Sequence, residues 1–220
     1  MARHEAAKRI EEIGIVPAIR VDSSDDALFA AETVFSGGIP IVEVTMTIPG
    51  ALEAIATLVR RFPEMVVGAG TVLDLETARH CLDAGANFLT SPVFDPRLAE
   101  FAAAQNTAVL PGALTPTEVW AAWKAGADLV KVFPCSQVGG PKYIRALKRS
   151  FPHVPLIASG GVNQHTASEF ILAGASALGA GSGLMPREAI ELRQADRIHE
   201  LARRFLEMVR NARAHAPSPA

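Results

Sequence analysis

With 220 residues, 49% of them hydrophobic, and a formal net charge of −2, the chain can bury a sizeable core and lacks the basic excess that binds nucleic acid or an anionic membrane surface. Its two cysteines, Cys81 and Cys135, are too few for a disulfide framework or a structural zinc site, which favours a reduced, cytoplasmic protein. No apolar run approaches the roughly 20 residues that span a bilayer, and the polar N-terminus lacks the apolar core of a signal peptide.

The residues before position 14 read as a helix. Beyond them, short apolar runs alternate with longer amphipathic stretches. Strands are expected at 15–20, 39–46, 65–69, 88–91, 107–110, 129–133, 156–159 and 177–179. Helices are expected after them, at 24–36, 49–62, 75–84, 96–105, 117–125, 141–150, 166–173 and 186–212. Helix starts carry Ser24, Asp95 and Thr115, with Pro96 and Pro116 in the first turn. Helix exits carry Gly37, Gly85, Gly126 and Gly174.

Three phrases recur: Asp83-Ala84-Gly85-Ala86-Asn87, Lys124-Ala125-Gly126-Ala127-Asp128 and Leu172-Ala173-Gly174-Ala175-Ser176. Each closes a helix and turns into a strand, so one βα module repeats. Eight modules with short connections predict an α/β fold, a closed (β/α)8 TIM barrel, as a single domain over 1–212 with the N-terminal helix under its floor. An open doubly wound sheet is the alternative, although the segment after the first strand, Val21-Asp22-Ser23-Ser24, has no glycine loop for a nucleotide. The tail 213–220, with Pro217 and Pro219, is expected to be disordered.

In such a barrel, chemistry gathers at the C-terminal ends of the strands. Lys131 stands inside the apolar run Asp128-Leu129-Val130-Lys131-Val132-Phe133-Pro134. A buried ammonium must be paired, neutralised or put to use. Desolvation lowers a lysine's pKa, and a neutral amine adds to a ketone to form a Schiff base. On this segment alone two readings stand: a catalytic amine, or a lysine that snorkels to solvent or pairs with a carboxylate. Glu43, in Ile41-Val42-Glu43-Val44-Thr45, is a second charge on a buried strand. It is either an ion-pair partner of Arg20 or Lys131, or an acid/base group tuned by such a neighbour.

Gly160-Gly161 and Gly181-Ser182-Gly183 follow the seventh and eighth strands. Glycines there serve tight turns, but they also let backbone N–H groups approach an anion, with helix N-termini adding positive potential, and this pair of loops is the common phosphate site of barrels. There is no dinucleotide fingerprint and no Walker loop. None of the six histidines is spaced with another as a ligand pair, so no metal and no cofactor is expected.

The motifs Gly14-Ile15-Val16-Pro17-Ala18-Ile19-Arg20, Glu43-Val44-Thr45, Gly68-Ala69-Gly70-Thr71-Val72-Leu73, Ser91-Pro92, Leu110-Pro111-Gly112, Lys131-Val132-Phe133-Pro134 and Ser159-Gly160-Gly161-Val162 follow one another in order. In that order and spacing the chain resembles the class I aldolase family of 2-keto-3-deoxy-6-phosphogluconate aldolase and 4-hydroxy-2-oxoglutarate aldolase, over about positions 14 to 183. The resemblance implies that Lys131 forms a Schiff base with the 2-keto acid and that Glu43 is the general base. It implies that Thr71, Pro92 and Phe133 line a pyruvate pocket, and that Gly160, Gly161 and Ser182, with Gly181 beside it, hold a phosphate. It further implies a homotrimer that needs no metal or cofactor, acting on a small-molecule 2-keto acid in the Entner-Doudoroff pathway.

Three departures stand out. Thr47 occupies the place of an arginine that helps bind the pyruvate carboxylate, leaving Arg20 as a candidate source of positive charge. Cys135-Ser136 replaces Ala-Glu, and Ala180-Gly181-Ser182-Gly183 replaces Gly-Gly-Ser-Trp. Cleavage of 2-keto-3-deoxy-6-phosphogluconate to pyruvate and glyceraldehyde 3-phosphate is the leading expectation, with 4-hydroxy-2-oxoglutarate cleavage the close variant. A metal-dependent sugar-phosphate barrel and a non-catalytic keto-acid-binding barrel are the alternatives of other classes.

Overall fold

The computed structural model describes residues 1–215. Its strands are β1 (Ile15–Ile19), β2 (Ile41–Thr45), β3 (Val66–Gly70), β4 (Phe88–Thr90), β5 (Ala108–Leu110), β6 (Gly112–Ala113), β7 (Val130–Val132), β8 (Leu156–Ser159) and β9 (Ala177–Ala180). Its helices are α1 (Arg3–Ile13), α2 (Ser24–Ser36), α3 (Ala51–Arg61), α4 (Leu75–Asp83), α5 (Pro96–Ala104), α6 (Pro116–Lys124), α7 (Pro141–Ser150), α8 (Ala167–Leu172), α9 (Arg187–Glu191) and α10 (Ala195–Ala214).

The strands pair in parallel in the order β5-β4-β3-β2-β1-β9-β8-β7-β6. Both ends of that order belong to one piece of chain. β5 and β6 flank Pro111, which has no N–H to donate and interrupts the ladder. Its carbonyl still accepts from Lys131 N at 2.9 Å. Counted as staves, the strands are therefore eight, and the sheet closes on itself as the expected (β/α)8 barrel rather than lying open. The expected fifth strand, 107–110, continues past the proline to Ala113.

The recurring Ala-Gly-Ala phrase has one structural meaning. Gly85, Gly126 and Gly174 take φ of +96°, +88° and +102°, a region that costs an L side chain energy. In each case the next alanine N–H reaches back five residues, to Cys81, Ala122 or Phe170, at 3.0, 3.2 and 3.1 Å. This is the Schellman closure, which satisfies the last carbonyls of the helix. The following residue opens the next strand: Asn87 N donates to Val67 O, Asp128 N to Val109 O and Ser176 N to Leu156 O. At the exit of α2 the left-handed residue is Gly38, at φ +100°, not the expected Gly37.

Starts are built as locally. The cap of α2 is Ser23, one residue before the expected Ser24, with its Oγ accepting from Asp26 N at 3.1 Å. Thr115 and Glu118 form a complete capping box on α6. The stave residues Ile15, Ile19, Ile41, Val42, Val44, Val66 and Val67 have no exposed surface, and each fully buried side chain of this size stabilises the fold by roughly 1.5–3 kcal/mol.

α1 lies at the floor, where Arg3 Nε donates to both carboxylate oxygens of Asp128, at 2.9 and 3.0 Å. Two expectations about the C-terminus are corrected. The helix expected over 186–212 is two helices, because Arg193 takes φ +51° between them. An arginine holds that strained turn because its guanidinium stacks on Phe29 at 4.7 Å and pairs with Asp26 at 2.7 Å. The expected tail is also corrected at its start. Arg213 is inside α10 and donates to Glu12 O at 2.6 Å and Ser176 O at 2.8 Å. Residues 216–220 of the expected tail lie outside the described residues.

Candidate active site

Alternation along a strand sends Glu43 of β2 and Lys131 of β7 into the barrel while Val42, Val44, Val130 and Val132 face the helices. β2 and β7 are the second and sixth of eight staves, so they stand on opposite walls. Their side chains meet in the lumen: Lys131 Nζ lies 3.3 Å from Glu43 Oε1 and 3.2 Å from Oε2. Glu43 is 2% exposed and Lys131 7%. The two readings left open for Lys131 are thereby narrowed, because the amine pairs with a carboxylate inside the barrel and does not reach bulk solvent.

Taking two charges out of water costs several kcal/mol per ion, and an apolar pair of like volume is often as stable. The pair is therefore poorly explained as a device for stability. Space for it is reserved by Gly70, where an added Cβ would lie 2.2 Å from Glu43 Oε1. A third group completes the cluster. Thr90, fully buried on β4, accepts from Lys131 Nζ through Oγ1 at 3.4 Å. Sequence reasoning left Thr90 out of the site; its only signal was a hydroxyl at a strand end.

Thr71 follows β3 directly and takes φ +60°. A β-branched residue in that region is an outlier costing about 1–3 kcal/mol, a cost that concentrates at functional sites. Val72 N donates to Thr90 O at 3.0 Å, which ties Thr71 to the stave of Thr90. Pro92 is pressed against the fifth stave, where an added Cβ on Gly112 would lie 2.2 Å from its carbonyl. Phe133 is two residues beyond Lys131, on the same side of the chain.

Phe133 also lines a cavity of about 410 Å³ at the mouth, together with Arg20, Gly160, Gly161, Gly181 and Ser182. The structure thus collects six of the expected substrate-binding residues around one space. Gly160 and Gly161 take φ of +86° and +83° in succession. Among the described residues, no backbone carbonyl outside the strands and helices takes the N–H of Gly160, Gly161, Ser182 or Gly183. A Cβ added at Gly181 would meet only Ala18 O, at 3.6 Å, so its glycine leaves room on the cavity side. Open N–H groups beside an exposed guanidinium make a cavity suited to an anion. The expected helix N-termini are not at these loops: α8 starts at Ala167 and α9 at Arg187. Backbone donors, the Ser182 hydroxyl and Arg20 supply the polarity instead.

Thr47 stands apart from this cavity. It is exposed, and its Oγ1 lies 3.1 Å from Thr45 Oγ1. Thr45 gives its own hydroxyl proton to Ile19 O at 3.0 Å, so Thr47 is the donor between the two. Arg20 lines the glycine-loop cavity. Cys135 is buried directly after the Phe133–Pro134 turn, and burial pushes its thiol up to about 12. The thiol therefore stays protonated, donating to Gly140 O at 3.7 Å. No cluster of three or more His, Cys, Asp or Glu side chains with metal-binding geometry occurs among the described residues.

Residues 6–201 match the family model described as KDPG and KHG aldolase. The chain is 30% identical over 200 residues to a 2-dehydro-3-deoxy-phosphogluconate aldolase of Treponema pallidum, covering 91% of this chain and 95% of that one. It is 31% identical over 193 residues to a KHG/KDPG aldolase of Escherichia coli K12, covering 88% and 91%. A crystal structure of KDPG aldolase from Legionella pneumophila, with pyruvate captured as a covalent carbinolamine, superimposes with a TM-score of 0.84 at 30% identity, covering 90% of this chain and 96% of that one.

Proposed function

This chain belongs to the KDPG and KHG aldolase family, and from that premise we propose that it cleaves 2-keto-3-deoxy-6-phosphogluconate to pyruvate and glyceraldehyde 3-phosphate through a Schiff base on Lys131. The observation that carries the assignment of roles is the meeting of Lys131 Nζ and Glu43 at 3.2 Å inside the barrel.

Glu43 takes a proton from Lys131, and the neutral amine adds to C2 of the substrate. Glu43 returns a proton to the carbinolamine oxygen, which leaves as water. The iminium that remains draws electrons from C3–C4 as Glu43 removes the C4 hydroxyl proton. That bond breaks, the aldehyde departs, and the enamine is protonated at C3 and hydrolysed to pyruvate. Thr71, Pro92 and Phe133 shape the space around the bound keto acid. The substrate phosphate lies in the cavity of Gly160, Gly161, Gly181 and Ser182, with Arg20 as counter-charge, and anchors the far end so that C2 is held near the amine. Thr47, at the rim, meets the keto-acid end. The working form is a homotrimer in the cytoplasm; a solution mass three times the 23.3 kDa of the chain tests it.

The decisive experiment is borohydride reduction in the presence of pyruvate, read by intact mass and peptide mapping. A pyruvate-sized adduct on Lys131, absent in Lys131→Ala, is the expected result. A folded protein without an adduct would sink the Schiff-base reading. Removing the phosphate from the substrate then separates the two family activities. A large drop in kcat/KM marks the phosphorylated sugar acid as the substrate, and none favours 4-hydroxy-2-oxoglutarate.

A further inference from the structure

Thr90 touches the reacting nitrogen, yet the acid/base scheme leaves it without a task. β4 is the fourth stave, midway between the second, which bears Glu43, and the sixth, which bears Lys131. The position of Thr90 is set on both sides: its carbonyl accepts from Val72 N at 3.0 Å, and the next residue, Ser91, donates to Leu110 O at 3.3 Å. Its β-branched side chain has restricted rotation, so the hydroxyl direction is set as well. Among the described residues, the one side-chain hydrogen bond it makes is to Lys131.

An ammonium has three N–H bonds, and Nζ has three acceptors here: two Glu43 oxygens and Thr90 Oγ1, at 3.2–3.4 Å. The count changes along the reaction. When Nζ bonds to C2 and the former carbonyl oxygen leaves as water, the nitrogen becomes an iminium with a single N–H. At that stage Glu43 is engaged with the C4 hydroxyl. A buried cationic N–H left without an acceptor is costly. We propose that Thr90 Oγ1 accepts the N–H of the Lys131 iminium, freeing Glu43 to carry protons to and from the substrate. Thr90 exchanges no proton in this step; it holds one hydrogen bond while bonds at C2, C3 and C4 change. The inference rests on the Schiff-base reading.

The test is deuterium exchange at C3 of pyruvate in D2O, followed by proton NMR, with borohydride trapping in parallel. Exchange requires the imine and its enamine but no aldehyde. Thr90→Val keeps the shape and deletes the hydroxyl, and it should slow maximal exchange by about 10- to 100-fold, the worth of a hydrogen bond to a charged group. Half-saturation by pyruvate should change little, and Thr90→Ser should recover most of the rate. Thr90→Ala carries the same expectation as the valine variant should that one fail to fold. Valine exchange at the parental rate, with the adduct still on Lys131, would overturn this role and leave the Schiff base standing. Valine and serine variants slowed alike would also overturn it, because filled volume and not the hydroxyl would then matter. A parent that forms no adduct removes both readings together.

Discussion

At the floor of the barrel Arg3 reaches Asp128, and in the lumen Lys131 reaches Glu43. Both pairs join distant parts of the chain, and both are largely buried. Their bonding differs. Asp128 accepts two bonds from Arg3 and a third from Val109 N at 3.0 Å, while Arg3 also binds Gly126 O. Both oxygens of that carboxylate thus face donors fixed by the fold. Glu43 receives no backbone N–H among the described residues; its partner is Lys131 alone, at 3.2–3.3 Å. A pair held by several fixed donors is a staple between α1 and the residues that lead into β7. An unsaturated pair beside an open cavity can exchange its partner for a substrate. Burial of charge alone does not distinguish a site; the number of fixed donors does.

The sharpest way to break this comparison is to neutralise each pair in turn. Glu43→Gln keeps the shape of the lumen, and kcat should fall by about 10²- to 10⁴-fold, the usual worth of a positioned acid/base group, with a melting temperature near that of the parent. Parental turnover in this variant would remove Glu43 from the mechanism. Arg3→Ala should do the reverse. Loss of charge-assisted hydrogen bonds to Asp128 should cost about 1.5–3 kcal/mol of stability in denaturant unfolding, with kcat and KM unchanged. A matching fall in kcat would mean that the floor communicates with the lumen and that the two pairs are not independent.

The smallest effect belongs to a third kind of charge, on an exposed helix start. Backbone N–H groups of Thr115 and then Leu114 hold Glu118 below its ordinary value of 4.5. A carboxylate with a lower pKa folded than unfolded stabilises fully above the unfolded value, and that contribution is lost as pH falls through the folded one. Glu118→Gln should therefore melt below the parent at neutral pH, and the gap should close as the solution is acidified below 4.5. A gap that is constant with pH would mean that geometry and not charge makes this cap.

Much of the barrel is local in origin, which is why it was legible. The Ala-Gly-Ala exits, the Thr115–Glu118 cap and the alternating strands each rest on contacts within a few residues. Where a nonlocal contact replaced a local signal, reading failed. Arg193 takes a turn that sequence reserves for glycine because Phe29 and Asp26, far away in the chain, hold it there. Arg213 stays in the fold because backbone carbonyls of the floor accept its guanidinium.

The site divides in the same way. Sequence by itself determined that Lys131 and Glu43 are charges on apolar strands and that two glycine loops follow the last strands, because burial and turn chemistry are written into neighbouring residues. Only the tertiary structure decided that two strands 88 residues apart face each other across the lumen, that Thr90 completes the contacts of the amine, and that Arg20 joins the glycine loops while Thr47 does not. Those distances follow from closure of the eight staves, which sets who stands opposite whom and which no segment of the chain encodes alone.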